Sequence, residues 1–559
     1  METAIIAFVA LAALLMAAIL VPPARRERVR EGLRAAWGRT DGGRTLDEEL
    51  VRDEAAGWRD IAATVAPEDT VDDVTWEDLD MDAVFCRVDR STSVVGSEAL
   101  YAMLRQTGVD AETLARRMAL AEALCTDEEA RLDVQQAALM IGRRHFHGAL
   151  DFLRNAQADF PGPGYMLLAA VPVLCLLAGL FYPPLFLGIV FSFCVNLIVH
   201  YRAEVVWARQ INAVTHISTV LAAANRLARS GAAAIAPEVQ GLRALCAKLR
   251  GLRAFSRLCG ETDDGRGDPL SLIREYLKIA FLVNLVGLRR AGVEIARHAS
   301  EVRRLYAHVG ELDALVGVAA LRACGQVCFP AFEAERGVRF AALVHPLVEN
   351  AVPNDGAWTR NTLVTGSNAS GKSTFLKALA VNAILAQTIG VCFAQEFRIG
   401  RARVMSSMAV RDSVRGGESY FVAEIRSLKR ILDAAEGKTP VLAFIDEILR
   451  GTNTIERIAA SAAVLDALAG KNILVMAATH DIELTRMLAS YQNIHFREWV
   501  DQGGVTFDYK LRPGPSRTRN ALELLGQMGF DRQTVERARE MAARFERGQG
   551  WDVLEEKQI

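Results

Sequence analysis

Gly366-Ser367-Asn368-Ala369-Ser370-Gly371-Lys372-Ser373-Thr374 is a P-loop by its letters and by its setting. Thr362-Leu363-Val364 before it reads as a short buried strand, and Phe375-Leu376-Lys377-Ala378-Leu379-Ala380 after it reads as a helix, the strand–loop–helix context that the motif requires. The glycines let successive backbone N–H groups turn toward one point, where with the helix N-terminus they cradle anionic oxygens. Lys372 would neutralise β- and γ-phosphates, and the Ser373 hydroxyl stands where a phosphate-bound Mg²⁺ needs an oxygen ligand. ATP and Mg²⁺ are therefore the expected ligands, held by Gly366 through Thr374.

Two later stretches fit the same chemistry. Gly437 and Pro440 punctuate the approach to Val441-Leu442-Ala443-Phe444-Ile445, a buried strand that ends in Asp446-Glu447. A carboxylate at the C-terminal end of a strand beside a P-loop is placed to hold Mg²⁺, which makes Asp446 the second metal candidate after Ser373. Glu447 is the candidate general base for the attacking water. Ile473 through Ala478 reads as a third buried strand ending in Thr479-His480, and His480 is a candidate to contact the γ-phosphate and sense hydrolysis. Arg415-Gly416-Gly417-Glu418-Ser419-Tyr420-Phe421 precedes a helix that runs through Leu432.

Outside this part the chain is oily and helical. Of its 559 residues 51% are hydrophobic, and the formal net charge of −2 offers no global basic field for nucleic acid. Thr3 to Val21 is uncharged and long enough to span a bilayer; Pro22-Pro23 and then Arg25, Arg26, Arg28, Arg30 and Arg34 follow. Positive charge after the apolar run rather than before it predicts an uncleaved anchor with its N-terminus outside. Pro161-Gly162-Pro163-Gly164 breaks the chain ahead of Tyr165–Val199, almost wholly apolar around Pro183-Pro184, which predicts a membrane hairpin, spanning or re-entrant, with arms of about 15 to 18 residues. Tyr165, Tyr182, Tyr201 and Trp207 sit near the arm ends as interfacial anchors would. The acidic residues between Asp47 and Asn155 read as solvated faces and helix caps. Glu204 to Cys328 reads as two long helical segments around Cys259–Pro269, with Arg250, Arg253 and Arg257 forming one basic face. The nine scattered cysteines show neither a CxxC pair nor a zinc cluster, consistent with a reducing cytosolic face.

From His345 onward the chain resembles the MutS family of ABC-type ATPases. His345-Pro346-Leu347-Val348-Glu349 with Pro353-Asn354-Asp355 is similar to the family's lead-in, and Thr365 through Thr374 to its TGPNxxGKST. Gly417-Glu418-Ser419-Tyr420-Phe421 with Glu424 resembles the signature segment STFxxEM, Asp446 through Thr454 resembles DEIGRGTST, and Thr479-His480 the terminal TH. The resemblance implies a functional homodimer in which Ser419 of one protomer completes the partner's site, so Ser419 joins Glu447 and His480 as a catalytic candidate. Ala351-Val352 stands where the family often stacks an aromatic ring on adenine, and no mismatch-reading domain is found. The resulting expectation is an α/β P-loop (ABC-type) ATPase domain preceded by an all-α core and lever region with transmembrane helices. Its divisions are an anchor over 1–24, a cytoplasmic helical region over 25–160, a hairpin over 161–202, a lever region over 203–328 and the ATPase domain with a helical tail over 329–559. Membrane lipid and a second copy are expected partners, with DNA as a further candidate bound without mismatch preference. The alternative reading is a membrane ATPase that remodels a membrane or protein partner without DNA.

Overall fold

The computed structural model describes residues 27–548 apart from 41–42, 63, 144–148, 155–159, 163, 253–275, 278, 368–369, 409–419, 502–503, 517–521, 523–524 and 527. The expected anchor over 3–21, Arg253, Arg257, Asn368, Ala369 and Ser419 lie outside the described residues. The chain divides into two units, one holding residues to Ala66 and Phe85–Gln326, the other Pro67–Val84 and Val327 onward. Secondary elements are numbered below in chain order.

The first unit is helical. Helices α1 (Glu48–Ala62), α3 (Val94–Arg105), α4 (Ala111–Thr126), α5 (Glu128–Ile141) and α10 (Ala299–Ala323) form its core. Apolar residues of α10 recur every three or four positions, from Val302 and Leu305 to Leu312 and Leu315, and all are buried. Glycine lets α10 approach α3 closely: a Cβ on Gly310 would meet the Val95 carbonyl oxygen at 2.7 Å. Asp313 of α10 fixes the start of α3, accepting from Ser93 N at 2.7 Å and Ser93 Oγ at 2.6 Å.

The hairpin is built from α6 (Gly164–Gly179) and α7 (Phe186–Leu227). Sequence reading separates the second hairpin arm from the lever that follows, but α7 is one helix of 42 residues, about 63 Å long, because nothing between Tyr201 and Leu227 breaks it. Its ends live in different surroundings. Ala213 through Leu227 contribute core residues such as Val214, Ile217 and Leu221, all buried. Toward the other end the polarity is inverted: Leu187 and Phe191 are 74% and 72% exposed, whereas Ser192, Asn196 and His200, one turn apart, are buried. Asn196 donates to the Ala280 carbonyl at 2.7 Å. Among the described residues one helix, Pro183–Leu227, is long and apolar enough to cross a membrane, and Gly164–Gly179 is a shorter apolar helix.

In the second unit a six-stranded sheet has the order β12-β9-β4-β8-β7-β6. It contains β4 (Thr362–Thr365), β6 (Arg403–Ser407), β7 (Val441–Asp446), β8 (Ile473–Thr479), β9 (Gln492–His495) and β12 (Arg512–Pro513), parallel except where β12 meets β9. Strands β4, β7 and β8 are buried throughout, the pattern of a parallel sheet covered on both faces. Helices α11 (Lys372–Thr388), α12 (Tyr420–Ala434) and α13 (Thr454–Ala469) join the strands, and α14 (Arg532–Glu546) lies beyond them. A smaller sheet, β1-β5-β2-β3, consists of β1 (Ala331–Glu333), β5 (Glu396–Gly400), β2 (Val338–Leu343) and β3 (Asn354–Trp358), while β10 (Glu498–Asp501) and β11 (Gly504–Phe507) form a separate hairpin.

Residues 67–84 group with this unit, not with the helical region over 25–160 in which the sequence reading places them. Helix α2 (Asp73–Asp78) caps edge strand β6: Ser406 N donates to Thr75 Oγ1 at 3.1 Å, while Ser406 Oγ and Met408 N donate to the Asp78 carboxylate at 2.7 and 2.9 Å. An open strand edge carries unmet backbone groups, and these contacts satisfy them. Asp72 does cap α2, but the expectation that the acidic residues of this region are solvated fails for others. Asp78 is buried on β6, and Glu54 and Asp89 are buried because Arg44 reaches both at 2.7 Å.

Candidate active site

The P-loop leaves β4 and enters α11, and backbone geometry explains its glycines. Gly366 and Gly371 have φ of 141° and 97°, and a Cβ on Gly371 would come within 3.0 Å of the Tyr509 ring. Lys372 is buried and donates to the carbonyls of Gly366 at 2.7 Å and Ser367 at 2.6 Å. Burial lowers its ammonium to about 8, against the pull of Glu447, Asp446 and Glu498. Ser370 is buried and donates to the Ser367 carbonyl at 2.8 Å, bracing the loop. Thr374 lines the cavity beside it.

Parallel pairing of β4 with β8 and of β8 with β7 brings the other candidates to the same end of the sheet. Asp446 hydrogen-bonds Ser373, and burial holds its carboxyl above the usual range. Its Oδ1 is buried without a hydrogen-bond partner among the described residues. A buried carboxylate oxygen with an open lone pair, next to a serine hydroxyl, fits a hard divalent cation that prefers oxygen ligands. Ser373 and Asp446 would hold Mg²⁺, which would neutralise phosphate charge there.

Glu447 follows in a left-handed conformation, φ 55°, which points it away from the strand direction. His480 Nε2 lies 2.6 Å from Glu447 Oε1, and Arg450 touches the other oxygen. Burial pushes the Glu447 carboxyl up, but His480, Arg450 and Lys372 outweigh it and leave the group below its ordinary range, ionised at neutral pH. His480 is thus placed against Glu447 in this structure.

Four contributors are not legible in sequence as site residues in these roles. Glu498 of β10 is buried and meets the Ser367 hydroxyl. Glu424 of α12 is buried and receives the Leu449 N–H, fixing the turn after Glu447. Asn354 donates to the Tyr509 carbonyl at 2.9 Å and accepts from Leu511 N at 2.7 Å, holding Tyr509 over the P-loop. A cavity of about 520 Å³ opens there between Val352, Phe375 and Tyr509, with His345 at its wall. Asn354 and His345 carry a sequence signal from the lead-in motif, and Glu424 one from the signature segment, while Glu498 and Tyr509 carry none. Tyr509, 155 residues downstream of Asn354, brings an aromatic ring to the cavity that Ala351 and Val352 also line.

Residues 362–546 match the model for MutS domain V. This is a P-loop ATPase-type domain. The chain is 34% identical over 273 residues to the DNA mismatch repair protein MutS of Thermus thermophilus, covering 47% of this chain and 33% of that protein. It is 32% identical over 260 residues to MutS of Natronomonas pharaonis, covering 44% and 30%. It is 31% identical over 281 residues to MutS 2 of Haloarcula marismortui, covering 45% and 29%. The chain therefore spans about a third of the length of the curated relatives it matches. Residues 362–546 of the second unit are thus similar to MutS domain V.

Proposed function

We propose that the chain is a membrane-anchored, Mg²⁺-dependent ATPase of the MutS kind that works as a homodimer. The observation that carries the ATPase reading is the unmet Asp446 oxygen beside Ser373, with Lys372 and the Glu447–His480 pair around the same end of the sheet. In the cycle, Lys372 turns from the loop carbonyls to the phosphates. Ser373 and Asp446 would hold Mg²⁺, which would supply charge neutralisation when bound. Glu447 takes the proton of the attacking water, and His480 holds that carboxylate in place. Ser419 of a second copy completes the site. Mixing Ser419→Arg chains with Lys372→Ala chains tests this, since one composite site per mixed dimer stays intact and turnover returns, whereas catalysis within single chains leaves the mixture dead.

The inside-out hairpin supports the membrane part of the reading, with lipid covering Leu187 and Phe191. Two couplings of the cycle remain distinct. In one, the dimer closes on DNA without reading mismatches, since its contacts would be to phosphate, with exposed Arg250 as a contact candidate. In the other, the cycle remodels a membrane or protein partner, a coupling that the single long helix α7 favours because it joins the apolar end to the helical core. ATP turnover in lipid nanodiscs with and without duplex DNA separates them: stimulation by DNA selects the first, indifference the second.

A further inference from the structure

Cys328 and Cys392 stand opposite each other in the second unit. Each donates its backbone N–H to the other's carbonyl at 2.9 Å, an antiparallel bridge that lies outside the strands. A pair that exchanges both bonds has its Cα atoms about 5.5 Å apart, inside the roughly 4.4–6.8 Å that a disulfide spans. Opposed residues of this kind project to the same face with Cβ atoms about 4.5–5.5 Å apart, against about 3.5–4.5 Å in a disulfide, so bonding the sulfurs asks for a closure of about 1 Å. An isolated bridge can yield that much. Cys328 belongs to the connection from α10 to β1, and Cys392 to that from α11 to β5. Parallel pairing of β1 with β5, which sets Ala331 opposite Arg398, holds the two connections side by side.

The two thiols differ in reach. Cys328 is half-buried, whereas Cys392 is fully buried and its Sγ donates to the Asn382 carbonyl of α11 at 3.6 Å. Burial also pushes the Cys392 thiol up, which keeps it protonated and unreactive toward reagents in solution. A soluble disulfide therefore meets Cys328 first, and Cys392 is left to react with its neighbour.

We propose that Cys328 and Cys392 are the site of a reversible disulfide, formed by exchange with a low-molecular-weight disulfide of the glutathione class. The Cys328 thiolate attacks one sulfur of the reagent, forming a mixed disulfide and releasing one glutathione thiolate, which takes a proton. The Cys392 thiol then gives its proton to water, its sulfur attacks Cys328 Sγ, and the second glutathione leaves as a thiol. Two protein thiols together lose two electrons, and one glutathione disulfide is reduced to two thiols. The new bond closes a loop of chain that holds Gly366–Thr374 and α11, and it constrains the same segment in the unfolded chain.

The test takes the full chain, reduced and desalted, and exposes it to oxidised glutathione. Remaining thiols are alkylated after denaturation, the chain is digested without reduction, and the peptides are read by mass spectrometry. Expected is a loss of alkylation at both Cys328 and Cys392, with a cross-linked peptide as the main product and the bond placed by fragmentation at Cys328 and not at Cys324, which shares its tryptic peptide. Dithiothreitol should restore both thiols. Cys392→Ala should stop the reaction at glutathione on Cys328; should that variant lose its fold, Cys328→Ala should leave Cys392 fully alkylated. Glutathione held on Cys328 as the main product of the unaltered chain overturns the site, as does a Cys392 bond to any other cysteine, or alkylation of both residues undiminished. None of these readouts involves nucleotide, so failure here leaves the ATPase reading untouched.

Discussion

The P-loop end of the six-stranded sheet and the hairpin end of α7 both break the rule that apolar groups face inward and polar groups outward, and they break it in opposite ways. At the sheet, charge is buried with capacity left over: the Lys372 ammonium is buried on loop carbonyls, and Asp446 keeps an unmet oxygen. In the hairpin Asn196 donates to the Ala280 carbonyl while its own Oδ1 has no partner among the described residues, and the larger excess is apolar surface at Leu187 and Phe191. An unmet polar atom calls for a ligand that brings charge, and an unmet apolar surface calls for an oily environment. The same buried-versus-exposed accounting thus points to chemistry in one region and to surroundings in the other.

The sharpest way to break this contrast is to charge the oily face. Leu187→Lys with Phe191→Lys should cost insertion of the hairpin about 5–7 kcal/mol, from about 2.5–3.5 kcal/mol per lysine in a bilayer centre, and open Phe181 and Tyr182, changed singly to cysteine on a cysteine-free background, to a water-soluble thiol reagent from the ATP-binding side in membranes that retain the chain. Labelling from that side that is the same with and without the two lysines refutes lipid as the occupant of that face. ATP binding measured on the same sample should be unaffected, because both residues belong to the other unit.

At the sheet, Glu447→Gln removes the base and leaves the cradle. Turnover should fall by about 10²–10⁴ while ATP binding persists, so that nucleotide is trapped. Turnover equal to that of the unaltered chain would remove Glu447 from the mechanism.

Stranding the Lys372 charge also has a signature without nucleotide. Its folded value of about 8 lies below its ordinary 10.5, so between these values the unfolded chain binds more protons and stability rises with pH. The cost to the folded domain is fully present below pH 8 and fades as pH climbs toward 10.5. Lys372→Met should therefore raise the melting temperature of nucleotide-free protein at pH 7, by an equivalent of about 1–3 kcal/mol, with the gain shrinking by pH 10. A gain independent of pH would show that shape, not charge, is responsible.

The smallest expected effect is at the cavity wall. Tyr509→Ala should raise the apparent KM for ATP about three- to tenfold, the worth of about 1 kcal/mol of aromatic contact, with kcat nearly unchanged. A fall in kcat at constant KM would instead place Tyr509 in loop geometry.

Legibility divides along range in the chain. The strand–loop–helix around Lys372, the Asp446-Glu447 strand end and Thr479-His480 were readable because each is a local pattern whose backbone and side-chain needs are met within a few residues. The hairpin was readable as an apolar run for the same reason, though not the continuity of α7, since no breaker marks a boundary and none is needed. Glu498, Tyr509 and Glu424 were not readable in their roles because each acts across a separation that sheet order, not sequence spacing, closes. Asp78 shows the physical reason most plainly. By composition it belongs to a solvated acidic stretch, and only the docking of α2 on β6, which places Ser406 Oγ and Met408 N before its carboxylate, makes burial tolerable. By itself the sequence determined which backbone segments cradle an anion and which runs avoid water, as both follow from local residue chemistry. The tertiary structure decided which buried charges are satisfied, as at Asp78, and which stay open, as at Asp446, because that depends on donors brought from distant parts of the chain.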